Sequence, residues 1–83
     1  MNLYRISQTD VESYDTYDSA VVAAESAVMA ATMHPDGDYI PVEDRRWGWG
    51  GWTNDPSLVT VRYIGVAEEG TQRGVICASF NAG

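Results

Sequence analysis

Residues 58–66, LVTVRYIGV, decide the fold because they form the clearest β-strand pattern of the chain. The side chains alternate between two faces, as is typical of a strand: Val59, Val61 and Tyr63 share one face, and Thr60, Arg62 and Ile64 the other. The turn residues 68–71 (EEGT) follow, and residues 74–80 (GVICASF) predict another strand. We therefore expect these two strands to pair as an antiparallel hairpin.

Two further strands are predicted before this pair. Residues 3–8 (LYRISQ) place Tyr4, Ile6 and Gln8 on one face, opposite residues 3, 5 and 7. Residues 17–24 (YDSAVVAA) predict a second strand in which Tyr17, Ser19, Val21 and Ala23 face one way. The alanines of that segment leave a helix possible, but its tyrosine and paired valines favour a strand.

A short helix is predicted after the second strand. Ser26 is a good N-cap, residues 27–34 (AVMAATMH) are helix-forming, and Pro35 ends the helix. His34 then lies at the helix end, where a cation is favourable beside the helix dipole. The sequence predicts an α+β fold of order ββαββ, a small antiparallel sheet with one short helix, in a single domain over residues 1–83.

Residues 35–56 form a long loop without periodicity that contains all three prolines and all three tryptophans. Within it, RRWGWGGW at 45–52 separates the tryptophans only by glycine, which lets a ligand approach the backbone closely. Indole faces beside guanidinium groups can hold a nucleobase and its phosphate. The candidate ligand-binding residues are therefore Arg45, Arg46, Trp47, Trp49 and Trp52. The alternative is that individual tryptophans pack into the core or against a second subunit.

A second feature is an acidic segment in which Asp10, Glu12, Asp15 and Asp18 alternate with tyrosines. It is typical of a solvated loop, but it also suits an arginine-rich surface on another protein. The net charge of −7 argues against binding to duplex nucleic acid, which needs a basic footprint. All five cations are arginine, for which compositional bias is favoured over function, although a local anion site stays open as an alternative.

No motif for catalysis, a cofactor or a metal occurs in the sequence, so we expect a binding protein and no enzyme. Cys77 is the only cysteine and His34 the only histidine, which excludes an internal disulfide and argues against a structural zinc site. We expect Cys77 to be a small buried apolar residue. No apolar run approaches the roughly 20 residues that cross a bilayer, and a lone cysteine fits a reducing cytoplasm.

Three segments, LYRISQ at 3–8, YDTYDSAVVAAES at 14–26 and GVICASFNAG at 74–83, resemble small proteins encoded by tailed phages and prophages. The resemblance implies a counter-defence role in the host cytoplasm. The first hypothesis is that the protein sequesters a nucleotide-like immune signal. The alternatives are an acidic inhibitor of a host defence complex such as a CRISPR effector, which would use the acidic segment, and a phage structural or assembly accessory.

Self-association is a further expectation. A domain of 83 residues buries only about 60 % of the surface of its unfolded chain. One short helix covers part of one sheet face, and exposed apolar patches usually mark interfaces. The sequence therefore predicts a homo-oligomer in which the sheet face or the tryptophan loop meets its counterpart.

Overall fold

One four-stranded antiparallel sheet carries the fold in a computed structural model that describes residues 1–12, 16–37 and 51–81. The predicted tryptophan- and glycine-rich loop lies mostly outside the described residues. The described elements, in chain order, are β1 (Asn2–Ser7), β2 (Thr16–Ala24), α1 (Ala27–Ala31), a 3₁₀ helix (Pro56–Leu58), β3 (Thr60–Val66) and β4 (Gly74–Asn81). The α+β class follows from this one sheet and its single short helix.

The strand order across the sheet is β3-β1-β2-β4, so the predicted hairpin of the last two strands is wrong. β3 pairs with β1, and β4 pairs with β2 at the opposite edge. The turn itself forms, since Gly70 has a φ of 90° and the Thr71 N–H donates to the Glu68 carbonyl at 3.1 Å. However, seven residues (67–73) separate the strands, which is longer than the two to five typical of hairpin loops and enough to cross the end of the sheet.

The two central strands bury one face against α1, which we call the helix face. Tyr4 lies opposite Val22 and Ile6 opposite Ala20. Tyr4, Ile6 and Gln8, which the alternation places on one face, are all buried. The core joins side chains from both strands, the helix and the segment before β3: Tyr4, Ile6, Ala20, Val22, Ala24, Ala30 and Trp52. The opposite sheet face, which we call the open face, carries no described helix.

The predicted face of β2 is only partly confirmed. Ser19, Val21 and Ala23 pair with Ser7, Arg5 and Leu3, which places them on the open face. Tyr17 instead packs against the core. The register of β2 against β4 shifts between Tyr17 and Ser19, and such a bulge reverses the alternation.

The helix begins as predicted and ends early. The Ser26 hydroxyl oxygen accepts the Met29 N–H at 3.2 Å, which is the N-cap interaction. The helix stops at Ala31, with Thr32 as its C-cap. The prediction that it reaches His34 is therefore wrong, and His34 does not lie at the helix end. β-branched Thr32 bonds its hydroxyl to the Met29 carbonyl at 2.7 Å, a local bond that competes with helix continuation.

The edge strand β4 is exposed along most of its length. Residues 76–80 are all exposed, among them Ile76 at 54 % and Phe80 at 47 %. α1 lies against β1, β2 and β3, so it leaves this edge uncovered. Cys77 is exposed, and the prediction that it is buried is wrong because sequence alternation alone does not show that its strand is an edge.

Candidate functional site

A cavity of about 270 Å³ opens on the helix face, between the segment that follows α1 and the first residues of β4. Met29, Met33 and Val75 supply apolar walls, and all three pack against the core. Thr32, His34 and Arg73 add polar groups to the lining. Apolar walls with a few placed polar groups are the usual composition of a small-molecule site.

Arg73 is held in place by Glu25, the residue just before the helix N-cap. Its Nε donates to both carboxylate oxygens at 3.0 and 2.9 Å, and its Nη2 donates to Oε1 at 2.8 Å. The hydrogen bonds and charge of Arg73 lower the pKa of Glu25, and the carboxylate raises the pKa of Arg73. A guanidinium has five N–H donors, so donors remain for an anionic ligand after this fork is made.

His34 is fixed beside the cavity and is only 1 % exposed. Its ring meets that of Tyr17 edge-on at 5.8 Å. Its Nδ1 lies 3.0 Å from the Asp36 N–H and 2.9 Å from the Asp36 Oδ1. The Asp36 N–H donates to Nδ1, and this bond holds the ring beside the cavity.

Four of the five predicted ligand-binding residues, Arg45, Arg46, Trp47 and Trp49, lie outside the described residues. The fifth, Trp52, is 1 % exposed and belongs to the core cluster. Its indole is therefore packed among apolar side chains, which is the role that the alternative interpretation gives to a tryptophan of this loop. The next residue, Thr53, holds this part of the chain in place: its hydroxyl donates to Asp10 Oδ2 at 2.9 Å and accepts the Asp55 N–H at 3.2 Å.

The acidic segment is only partly described, because Asp15 lies outside the described residues. Asp10, Glu12 and Asp18 are exposed. Asp10 is nevertheless tied to the buried Thr53, so one of these four acids already has a structural partner. The remaining two described acids, Glu12 and Asp18, are the ones open to a partner protein.

The sequence did not single out the cavity. The i, i+4 spacing of Met29 and Met33 places them on one side of a helix, but Arg73 has no local sequence signal. The cavity forms because a residue just before β4 meets the segment after α1, about forty positions earlier. A contact between segments so far apart has no local pattern in a single sequence.

No protein-family model matches the chain, and neither the curated proteins nor the solved structures contain a match. In the described part of the chain, no group of three or more His, Cys, Asp or Glu side chains is placed to hold a metal ion. No described helix has the length and apolar character needed to cross a membrane.

Proposed function

We propose that the protein is a non-enzymatic, phage-encoded counter-defence factor that binds and sequesters a nucleotide-like immune signal in the host cytoplasm. The observation that carries the proposal is the cavity with methionine walls and Arg73 on its lining. The resemblance of three sequence segments to phage proteins supports the biological setting.

The chemistry of the cavity suits one ring system with an attached anion. Polarizable thioethers such as those of Met29 and Met33 pack well against aromatic rings. Arg73, already oriented by Glu25, can meet a phosphate at the opening. A volume of about 270 Å³ is slightly below the roughly 300–1,000 Å³ of pockets that enclose drug-sized ligands. We therefore expect one base to enter while the rest of the ligand stays at the opening.

Described residues on both sides of positions 38–50 of the predicted loop lie at or near this cavity. Gly37, just before that stretch, lines the cavity. Trp52, the one predicted ligand-binding residue that is described, packs in the core cluster against which Met29 and Met33 lie. We propose that Trp47 and Trp49 stack on the ligand and that Arg45 and Arg46 meet its phosphates, with Trp52 as the anchor of the loop.

Calorimetry with a panel of cyclic dinucleotides, cyclic oligonucleotides and ADP-ribose derivatives tests the proposal. We expect at least one of them to bind with a dissociation constant below about 10 μM, which corresponds to about −7 kcal/mol. Arg73→Gln should weaken that binding about tenfold or more, because a hydrogen bond to a charged group contributes about 1.5–3 kcal/mol. Gln72→Ala is the control, since this exposed neighbour of Arg73 does not line the cavity. Failure of the whole panel to bind would refute the proposal.

The second candidate, an acidic inhibitor of a defence complex, is favoured by the exposure of Glu12 and Asp18. We propose charge reversal at these two positions only, since reversal of Asp10 would also break its bond to Thr53. Inhibition of a CRISPR effector should then be lost, and in the unchanged protein it should weaken steeply with salt. Inhibition that persists in the charge-reversed protein, and that does not weaken with salt in the unchanged protein, would exclude this candidate.

A further inference from the structure

The open face places two arginines side by side. Arg5 of β1 and Arg62 of β3 are directly paired across the two strands, so their backbones are about 4.5–5.5 Å apart. Both side chains are exposed, and within the described residues neither makes an ion pair or a hydrogen bond. Like charges placed directly opposite destabilise a sheet, so the pair lowers the stability of the free protein.

A row of hydroxyl groups lies next to this pair. Thr60, Ser7, Ser19 and Ser79 are successive cross-strand partners from β3 through β1 and β2 to β4. Residues two apart on a strand share a face and lie about 7 Å apart, so Ser7 follows Arg5 and Thr60 precedes Arg62 on the open face. In the described structure, none of the four side chains makes a hydrogen bond.

The charge of this face contrasts with that of the whole chain, which carries 12 acids and 5 bases. The only acid in the four strands is Asp18, which lies at the bulge of β2, where its carbonyl accepts the N–H of Gln8 at 3.4 Å. Two unpaired guanidinium groups with hydroxyl donors beside them therefore form a positive corner on a negative protein. Such a corner attracts a compact anion with several acceptor oxygens.

We propose that Arg5, Arg62, Ser7 and Thr60 form a binding site for the phosphate group of a small phosphorylated molecule. A dianionic phosphate matches the two positive charges and has enough oxygens for both guanidinium forks and both hydroxyls, whereas a carboxylate has one charge and two oxygens. Two cations are too few to hold duplex nucleic acid. The described rows of this face carry no aromatic side chain on which bases of a single strand could stack. This site lies on the opposite side of the sheet from the cavity, so the proposal goes beyond the proposed function.

Nuclear magnetic resonance with inorganic phosphate tests the site directly. The side-chain Nε–H signals of Arg5 and Arg62 should shift saturably at constant ionic strength, with a dissociation constant of about 1 mM or tighter. Adenosine monophosphate should produce the same shifts, and adenosine none. Signals that do not saturate by about 10 mM phosphate, that move equally with sodium chloride, or that move equally with adenosine would overturn the proposal.

Matched variants separate a specific site from general charge attraction. Arg5→Gln, Arg62→Gln and Arg73→Gln each remove one positive charge, but only the first two change the open face. We expect phosphate binding at the open face, followed by the Nε–H signal of whichever of Arg5 and Arg62 remains, to weaken at least tenfold in the first two and less than twofold in the third. Arg62→Lys keeps the charge and loses the guanidinium fork, so its phosphate affinity should lie between those of Arg62→Gln and Arg73→Gln. Equal losses in all three glutamine variants would reduce the binding to net charge and refute the site.

The same variants keep this proposal independent of the proposed function. Arg73→Gln should weaken the response of the Met29 and Met33 methyl signals to a nucleotide-like ligand and leave the response of the Arg5 Nε–H signal to phosphate intact, and Arg62→Gln should do the reverse. Failure of Arg73→Gln to weaken the methyl response would count against the cavity, and failure of Arg62→Gln to weaken the Arg5 response would count against the open-face site.

Discussion

Replacement of Trp52 by alanine separates a core residue from a ligand-stacking one. Trp52 is 1 % exposed and packs in the cluster of β1, β2 and α1 side chains. Truncation of a buried tryptophan typically costs about 3–5 kcal/mol. A domain of 83 residues is stabilised by only about 4–12 kcal/mol in total. The variant should therefore lose a large part of the stability of the fold.

Thermal unfolding followed by far-ultraviolet circular dichroism measures this loss without using tryptophan fluorescence as the probe. For a domain of this size, 1 kcal/mol shifts Tm by about 4–8 °C, so Trp52→Ala should lower Tm by about 12 °C or more. Leu58→Ala is the control, because Leu58 is 48 % exposed and should change Tm by only a few degrees. A Tm for Trp52→Ala within about 4 °C of the unchanged protein would refute the core position of Trp52.

Four further predictions concern the helix cap, an ion pair, the edge strand and the assembly. Ser26→Ala should cost about 1 kcal/mol in urea unfolding because the N-cap bond to Met29 is lost; no change would contradict the cap. The hydrogen bonds of Arg73 lower the folded-state pKa of Glu25 below its usual 4.5. The contribution of this ion pair to the stability of the fold is therefore complete above pH 4.5 and is lost as the pH falls below it. The stability difference between Glu25→Gln and the unchanged protein should therefore shrink in acid, and a difference that grows would contradict it. Cys77, being exposed, should react with a thiol reagent in the native protein as fast as in urea, whereas strong native protection would disprove its exposure. Light scattering at micromolar concentration should give a multiple of the 9.1 kDa mass, and a mass near one chain would refute the homo-oligomer.

Alternation within each segment predicted all four strands, because it depends only on which face of a strand is buried. The shared face of Tyr4, Ile6 and Gln8 was predicted correctly for that reason, and all three are buried. The order of the strands was not, because pairing depends on side chains far apart in sequence. Val22, Ala23 and Ala24 of β2 are all fully buried. A strand with such a run of buried residues needs a neighbouring strand on each side, which agrees with the central position of β2.

The candidate site was predictable only where its chemistry is local. The cluster at 45–52 was visible from composition, and the Ser26 cap from a short motif. The cavity around Arg73 and the pairing of Arg5 with Arg62 depend on strand register. A single sequence contains no direct record of that register, so neither feature could be found before the strands were placed.

Methionine methyl resonances test the central claim, that a nucleotide-like ligand enters the cavity. The chain has three methionines, of which Met29 and Met33 line the cavity and Met1 begins the chain at 41 % exposure. With selectively labelled methyl groups, titration of the tightest-binding compound from the calorimetric panel should shift the Met29 and Met33 signals saturably. The Met1 signal should stay in place and serves as the internal control. Saturable binding that leaves both the Met29 and Met33 signals unchanged would contradict the claim.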